Sequence, residues 1–313
     1  MSRRLPSGPR LMMGVATVAA YAGPMRATTW AARTLSRLLA RVDPDRTEAL
    51  RDNLRHVRPA ATDGELDELV ESSLATYARY WVEMLRLPRM SASAIDAGFA
   101  VEGYEHLEAS LAEGKGPILV LPHLGGWEWA AAWLGRVGDI GGVTAVVERL
   151  EPPDVHDWFE RTRSAYGVEV VALGDDDAMV RLLDAVKRCQ IICLLADRDL
   201  GGNGLDVEFF GETTTLPAGP ALLARRSGAP LLPTSVFFRG DTRVCRLGPP
   251  IRSDRSLRLR DDLAVTTQAI ADGLAEHIDA HPGQWHVLQR IWPEAADADQ
   301  AGGGEVAPAC ESA

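Results

Sequence analysis

An α/β fold, with a central, mostly parallel β-sheet flanked by helices, is what the sequence predicts, and three observations carry that prediction. From about residue 98 onward, short apolar runs alternate with stretches of helical period. The segment before it, roughly residues 27–87, reads as helix throughout. The composition of the 313 residues, 46% hydrophobic and 25% charged, is that of a globular chain with a sizeable core.

The elements follow in order. Residues 27–41 and 44–57 read as short helices. Thr62 opens a longer one with Glu65 three residues on, a capping box, and the helix runs to about Leu87 before Pro88. Its periodic apolar positions include Leu66, Leu69, Leu74, Tyr77, Trp81 and Leu85. Expected strands are Ile118–Leu121, Val143–Val147, Val168–Val171, Ile191–Leu195 and Leu231–Phe238, with Val244–Leu247 added at the sheet edge. Helices are expected near 103–113, 126–137, 154–166, 175–188 and 219–227, and one near 258–281 closes the fold before Pro282. The reading is therefore a helical N-terminal region over 1–60, an α/β domain over 61–293 and a disordered tail over 294–313, which lacks aromatics and periodicity.

Charge is unevenly placed. Residues 1–41 hold seven Arg and no acid, or +7, leaving −18 for the rest of a chain of net −11. Within them, Leu11–Met25 is uncharged but, at fifteen residues, falls short of the roughly 20 that span a bilayer. The expected behaviour is interfacial docking, with apolar residues dipping into the lipid boundary and Arg meeting anionic headgroups. A secretory signal and a pair of plain solvated helices are the alternatives. The acidic remainder, with a pI near 5.2, argues against nucleic acid as a partner. Four Cys fit neither a disulfide scaffold nor a zinc spacing, so no metal is expected and a reducing cytoplasm is the natural setting. His277 and His281, spaced i, i+4, lie in a polar stretch and read as surface residues.

The sequence has no G-x-S-x-G elbow, Walker A loop, G-x-G-x-x-G or H-E-x-x-H. One stretch stands out, Gly116-Pro-Ile-Leu-Val-Leu-Pro-His123-Leu-Gly-Gly-Trp-Glu128. A buried strand ends at Pro122, which puts His123 at the C-terminal edge of the sheet, where open α/β folds bind ligands. A continuous helix would leave His123 and Glu128 about 140° out of register. The glycines at 125 and 126 make a turn, however, which lets Glu128 fold back onto the imidazole. A carboxylate on one ring nitrogen fixes the tautomer and readies the other nitrogen as a general base. N–H groups at the following helix start can face a developing oxyanion. The plainer alternative is a satisfied structural histidine beside a solvated first-turn acid.

With these residues in view, His123-Leu-Gly-Gly-Trp-Glu128 resembles the H-x4-D/E signature of the glycerolipid and lipid A late acyltransferases. Further blocks resemble that family in order: Glu148-Arg149 after the next strand, Arg161 in the following helix and Asp197 after a buried strand. They continue with Phe209-Phe210-Gly211, Thr215 and Gly219, then Gly228-Ala-Pro-Leu-Leu-Pro233, then Pro282-Gly-Gln-Trp285 with Arg290-Ile-Trp292. The likeness covers roughly residues 50–293. Within that group the sequence is similar to the actinobacterial phosphatidylinositol mannoside acyltransferases. The resemblance implies a hydrophobic acyl groove and transfer of a fatty acyl group, typically palmitoyl, from acyl-CoA to the 6-hydroxyl of a mannose on phosphatidylinositol mannosides. It implies no cofactor beyond the acyl-CoA co-substrate, and a site on the cytoplasmic face of the plasma membrane.

On this reading His123 is the base and Glu128 its orienting partner, with no covalent intermediate. Arg161 and Arg149 bind phosphates, beside Glu148, with surface ion pairs as the alternative. Asp197 either hydrogen-bonds acceptor hydroxyls or caps a helix. Trp127, Trp129 and Trp133 either line the acyl groove or pack the core. Other functions kept open are acyl transfer to a lysophospholipid or lipid A-type sugar, an acyl-CoA thioesterase, and a lipid carrier.

Overall fold

The computed structural model describes residues 43–136, 141–148 and 153–292. The basic segment 1–41, Arg149 and the tail 294–313 lie outside them. Helix α1 spans Pro44–Val57 and α2 Asp63–Arg86. The capping box at the start of α2 is formed: the Glu65 N–H donates to Thr62 Oγ1 at 3.3 Å, and the Thr62 N–H donates to Glu65 Oε2 at 2.8 Å. The chain continues through α3 (Ala92–Ala97), β1 (Phe99–Glu102), α4 (Tyr104–Leu111), β2 (Ile118–Leu121), α5 (Trp127–Arg136) and β3 (Val143–Val147). It then forms α6 (Pro153–Ser164), β4 (Val168–Ala172), α7 (Ala178–Lys187), β5 (Ile191–Leu195) and a hairpin of β6 (Leu205–Phe209) and β7 (Glu212–Leu216). Helix α8 (Gly219–Ser227), β8 (Leu231–Arg239), β9 (Thr242–Leu247) and α9 (Leu259–Ala280) complete it.

Seven strands form one sheet in the order β1-β9-β8-β2-β5-β3-β4. Strands β8, β2, β5, β3 and β4 are mutually parallel, as the strand–helix alternation predicts. Strand β9 runs antiparallel to β8, and β1 pairs with β9 in parallel. The 242–247 strand is therefore not the edge, because the four-residue β1 covers it. A run as short as Phe99-Ala-Val-Glu, with mixed polarity, gives no alternation signal of its own.

The period of two along each strand divides the core into two layers. Ile118, Val120, Ile192 and Leu194 pack on one face with residues of α1, α2, α7, α8 and α9. Leu119, Leu121, Cys193 and Leu195 face the other, under α3, α4 and α5. Leu50 and Leu54 of α1 are fully buried in the first layer, so this helix belongs to the same core as the sheet. His277 is buried too, contrary to its reading as a surface residue. It lies on the face of α9 packed against β8, where its Nδ1 is 2.9 Å from Ser235 Oγ. Its partner in the spacing, His281, stacks on Phe237 at 3.9 Å. The Phe209-Phe210-Gly211 block is the β6–β7 turn, with Phe210 at φ 54° and Gly211 at φ 81°, the two left-handed residues a tight two-residue hairpin requires. No helix among the described residues is long and apolar enough to cross a membrane.

Candidate active site

Strands β2 and β5 are parallel neighbours in which Leu121 pairs with Leu195. Two residues past that pair on each strand stand His123 and Asp197, so register alone brings them together at the C-terminal edge of the sheet. His123 Nδ1 is 2.6 Å from Asp197 Oδ1, and the His123 backbone N–H donates to Asp197 Oδ2 at 2.8 Å. The Trp285 indole N–H donates to the same Oδ2 at 2.8 Å. Asp197 and Trp285 are fully buried, whereas the His123 side chain is 15% exposed. Nothing among the described residues hydrogen-bonds its Nε2. Burial would raise the Asp197 carboxyl, but the nearby His123 and the hydrogen bonds from His123 and Trp285 outweigh it and hold the group below the usual carboxylate range. Asp197 therefore stays ionised and spends both oxygens inside the protein, which corrects the expectation that it reaches acceptor hydroxyls.

Glu128 does not fold back onto the imidazole. Gly125, at φ 61°, turns the chain so closely past β8 that a Cβ there would sit 2.1 Å from the Val236 carbonyl oxygen. The N–H groups of Gly125 and Gly126 donate to the carbonyls of Gln284 and Val236 and are not free for an oxyanion. Past this turn, α5 carries Glu128 toward α2 and α6. There its Oε1 accepts from Arg163 Nε at 3.0 Å and from Tyr80 Oη at 3.4 Å, and its Oε2 accepts from Tyr166 Oη at 2.5 Å. Arg163 Nη2 makes a further close contact with Oε1. Burial and the Glu128 charge push both tyrosines well above their ordinary value, so both remain donors. Arg163, rather than Arg161, is thus the arginine of α6 that turns inward, its side chain 13% exposed, while Arg161 is exposed. Glu148, at the end of β3, is 45% exposed and accepts from Arg198 at 3.3 Å.

A cavity of about 780 Å³, counted out to its mouth, lies between the sheet and α5. Its walls come from six adjacent strands: Val101 of β1, Leu247 of β9, Thr234 of β8, Leu121 of β2, Leu195 of β5 and Val147 of β3. Five inter-strand spacings of about 4.8 Å make it roughly 24 Å across the sheet. Trp127 and Trp133 line it. Trp129 instead packs the core, its indole donating to the Ile95 carbonyl at 3.0 Å under the Arg243 guanidinium. Trp127 also meets His123 edge to face, at 5.6 Å between centroids, which ties the cavity to the imidazole. Glu128 and Arg163 form part of the wall. The Cys193 thiol in the wall is pushed up to about 12 by burial and by the Glu128 charge, so it is no ready nucleophile. No group of residues that could hold a metal ion occurs among the described residues.

Residues 9–294 match the model of the bacterial lipid A biosynthesis acyltransferases. A phosphatidylinositol mannoside acyltransferase of Mycobacterium tuberculosis is 39% identical over 251 residues, 78% of this chain and 77% of its own. One of Mycolicibacterium smegmatis is 39% identical over 247 residues, 78% of this chain and 79% of its own. A lipid A biosynthesis acyltransferase of Haemophilus influenzae is 23% identical over 235 residues, 74% of this chain and 71% of its own. With most of its length matched, the chain belongs to the bacterial lipid A biosynthesis acyltransferase family.

Proposed function

We propose that this acyltransferase moves a fatty acyl group, palmitoyl above all, from acyl-CoA to the 6-hydroxyl of a mannose on a phosphatidylinositol mannoside. The observation that carries the reading is an imidazole held at Nδ1 by a buried carboxylate, open at Nε2, and in edge-to-face contact with Trp127 in the wall of an apolar cavity. The names of the two mycobacterial relatives support the acceptor. The acyl chain lies in the cavity, against its apolar wall of Leu, Val and Trp side chains. His123 Nε2 takes the proton of the mannose hydroxyl as the oxygen attacks the thioester carbonyl carbon. The tetrahedral intermediate collapses with loss of CoA thiolate, which recovers the proton from the imidazolium. Asp197 stabilises that imidazolium, and such general-base help is worth about 10²–10⁴ in rate. No acyl-enzyme forms and no cofactor is needed.

Residues 1–41 dock the chain peripherally on anionic lipid at the cytoplasmic face of the plasma membrane, where acyl-CoA is available. Arg161, exposed on α6, and Arg149 contact phosphates of the donor or the lipid head, with Glu148 beside them. Arg161→Ala is expected to raise the KM for one substrate severalfold with no change in thermal unfolding. An unchanged KM for both substrates would refute that contact.

The reading as a whole is tested by supplying the purified protein with radiolabelled palmitoyl-CoA and separate acceptors, then identifying the product by mass spectrometry. Acylation of the mannolipid, faster than release of free fatty acid, is the expected result. Hydrolysis that no acceptor accelerates would point to a thioesterase, and preferential labelling of a lysophospholipid or lipid A-type sugar would move the acceptor.

A further inference from the structure

The segment following α9 closes over the active-site turn like a strap. The His286 N–H donates to the His123 carbonyl at 2.8 Å, the Gly125 N–H donates to the Gln284 carbonyl at 2.9 Å, and Leu124 bridges Trp285. The Gln284 side chain pairs with both backbone groups of Phe238, at 2.7 and 3.0 Å. Asn53 of α1 donates to the Val287 carbonyl at 3.0 Å, and Ser73 of α2 donates to the Trp285 carbonyl. From this strap a single side-chain donor reaches the catalytic carboxylate, the indole N–H of Trp285 on Asp197 Oδ2.

We infer that Trp285 is a positioning residue for acyl transfer: its indole N–H fixes the Asp197 carboxylate so that Oδ1 faces His123 Nδ1. The inference rests on the reading of His123 as the base. The two carboxylate oxygens have separate tasks. Among the described residues Oδ1 meets only the imidazole, at 2.6 Å, while Oδ2 takes the His123 N–H and the indole, each at 2.8 Å. Two donors on Oδ2, with the imidazole on Oδ1, stop the carboxylate turning about its bond to Cβ. With one removed, the fully buried carboxylate keeps a single backbone donor on that oxygen and its bond to the imidazole loosens. The indole also draws charge from the carboxylate, which limits how tightly the imidazole–carboxylate pair holds a proton.

The groups facing this pair can be named from each element packed against it. They are His123 from the end of β2, Asp197 from the end of β5, and His286 from the strap, with uncharged Trp127 from α5. Tyr77, Tyr80 and Thr76 of α2 face His286 rather than the pair. Arg198 turns away to Glu148 and Gln289. Burial and the nearby His123 push His286 down to about 3, so it is neutral wherever the enzyme is assayed.

The test is the pH profile of acyl transfer by the full chain carrying Trp285→Phe, which keeps an aromatic ring and removes the N–H. The expected outcome is a kcat lower by about tenfold, an unchanged KM for palmitoyl-CoA and for the mannolipid, and an acid limb of kcat/KM displaced to higher pH by a few tenths of a unit or more. The displacement is upward because a carboxylate with one donor fewer is more basic, and a higher pH is then needed to clear the proton from the pair. Ser73→Ala, which loosens the strap without touching the indole, is expected to leave that limb in place. If Trp285→Phe does not fold, 3-benzothienylalanine at position 285 keeps the bicyclic shape with sulfur in place of N–H. An unmoved limb with near-normal kcat, a change confined to KM, or the same shift in Ser73→Ala would each overturn the inference. Activity retained by His123→Ala would instead sink the base reading on which it rests, and the two failures are thereby told apart.

Discussion

Asp197 and Glu128 are both buried carboxylates near the same histidine, yet they serve different partners. Glu128, five residues along the chain from His123, is given over to Arg163, Tyr80 and Tyr166 in the cavity wall. Asp197, 74 residues away, is bonded to the imidazole. The difference is set by the sheet: parallel strands in register place equivalent positions side by side, while a glycine turn followed by a helix carries a near neighbour off in another direction. A carboxylate facing a titratable ring stabilises the charge that the ring takes up during a reaction. One locked to a guanidinium and two phenols is fixed framework.

The largest expected effect falls on the Asp197 side. His123→Ala should lower kcat by about 10²–10⁴ with unfolding little changed, and Asp197→Asn by roughly a hundredfold, as for loss of an orienting partner. Equal turnover for wild type and Asp197→Asn would erase the distinction between the two carboxylates. On the Glu128 side, Glu128→Gln leaves the Arg163 guanidinium buried without its counter-charge, and breaking a buried pair in this way costs about 3–5 kcal/mol of stability. Denaturant unfolding should show that loss, with activity falling in step with the folded fraction and the acid limb of the pH profile unmoved. A shifted limb at full stability would bring Glu128 back as the partner of His123.

Most of the sheet was legible in the sequence because strands buried on both faces read as continuous apolar runs, as in Ile118–Leu121 and Ile191–Leu195. The β1 strand and the β6–β7 hairpin were not, since Phe99-Ala-Val-Glu is short and Glu212-Thr-Thr-Thr-Leu is mostly polar. His123 was found by its position at a strand end. Its partner does not show in one-dimensional spacing, which favours the nearer acid, although both strands carry the same signal, a polar residue two positions past the last strand residue. That β2 lies next to β5, with β3 beyond, depends on topology that no local pattern records. Likewise, Arg161 and Arg163 lie on one helix, and only the packing of α6 shows which of them turns inward.

A smaller effect concerns stability against acid. His286 is buried and pushed down to about 3, below its ordinary value. Between roughly pH 6.5 and that value the unfolded chain binds a proton that the folded chain does not, so stability is full above this window and falls as pH drops through it. His286→Gln should flatten the slope of unfolding free energy over that range by up to about 1.4 kcal/mol per pH unit. An unchanged slope would mean that the ring protonates in place.

The identity of the carboxylate holding the imidazole is most directly read by proton NMR of the His123 Nδ1–H. The geometry predicts a strongly downfield resonance in wild type and in Glu128→Gln that disappears in Asp197→Asn. A resonance that survives in Asp197→Asn and vanishes in Glu128→Gln would contradict it.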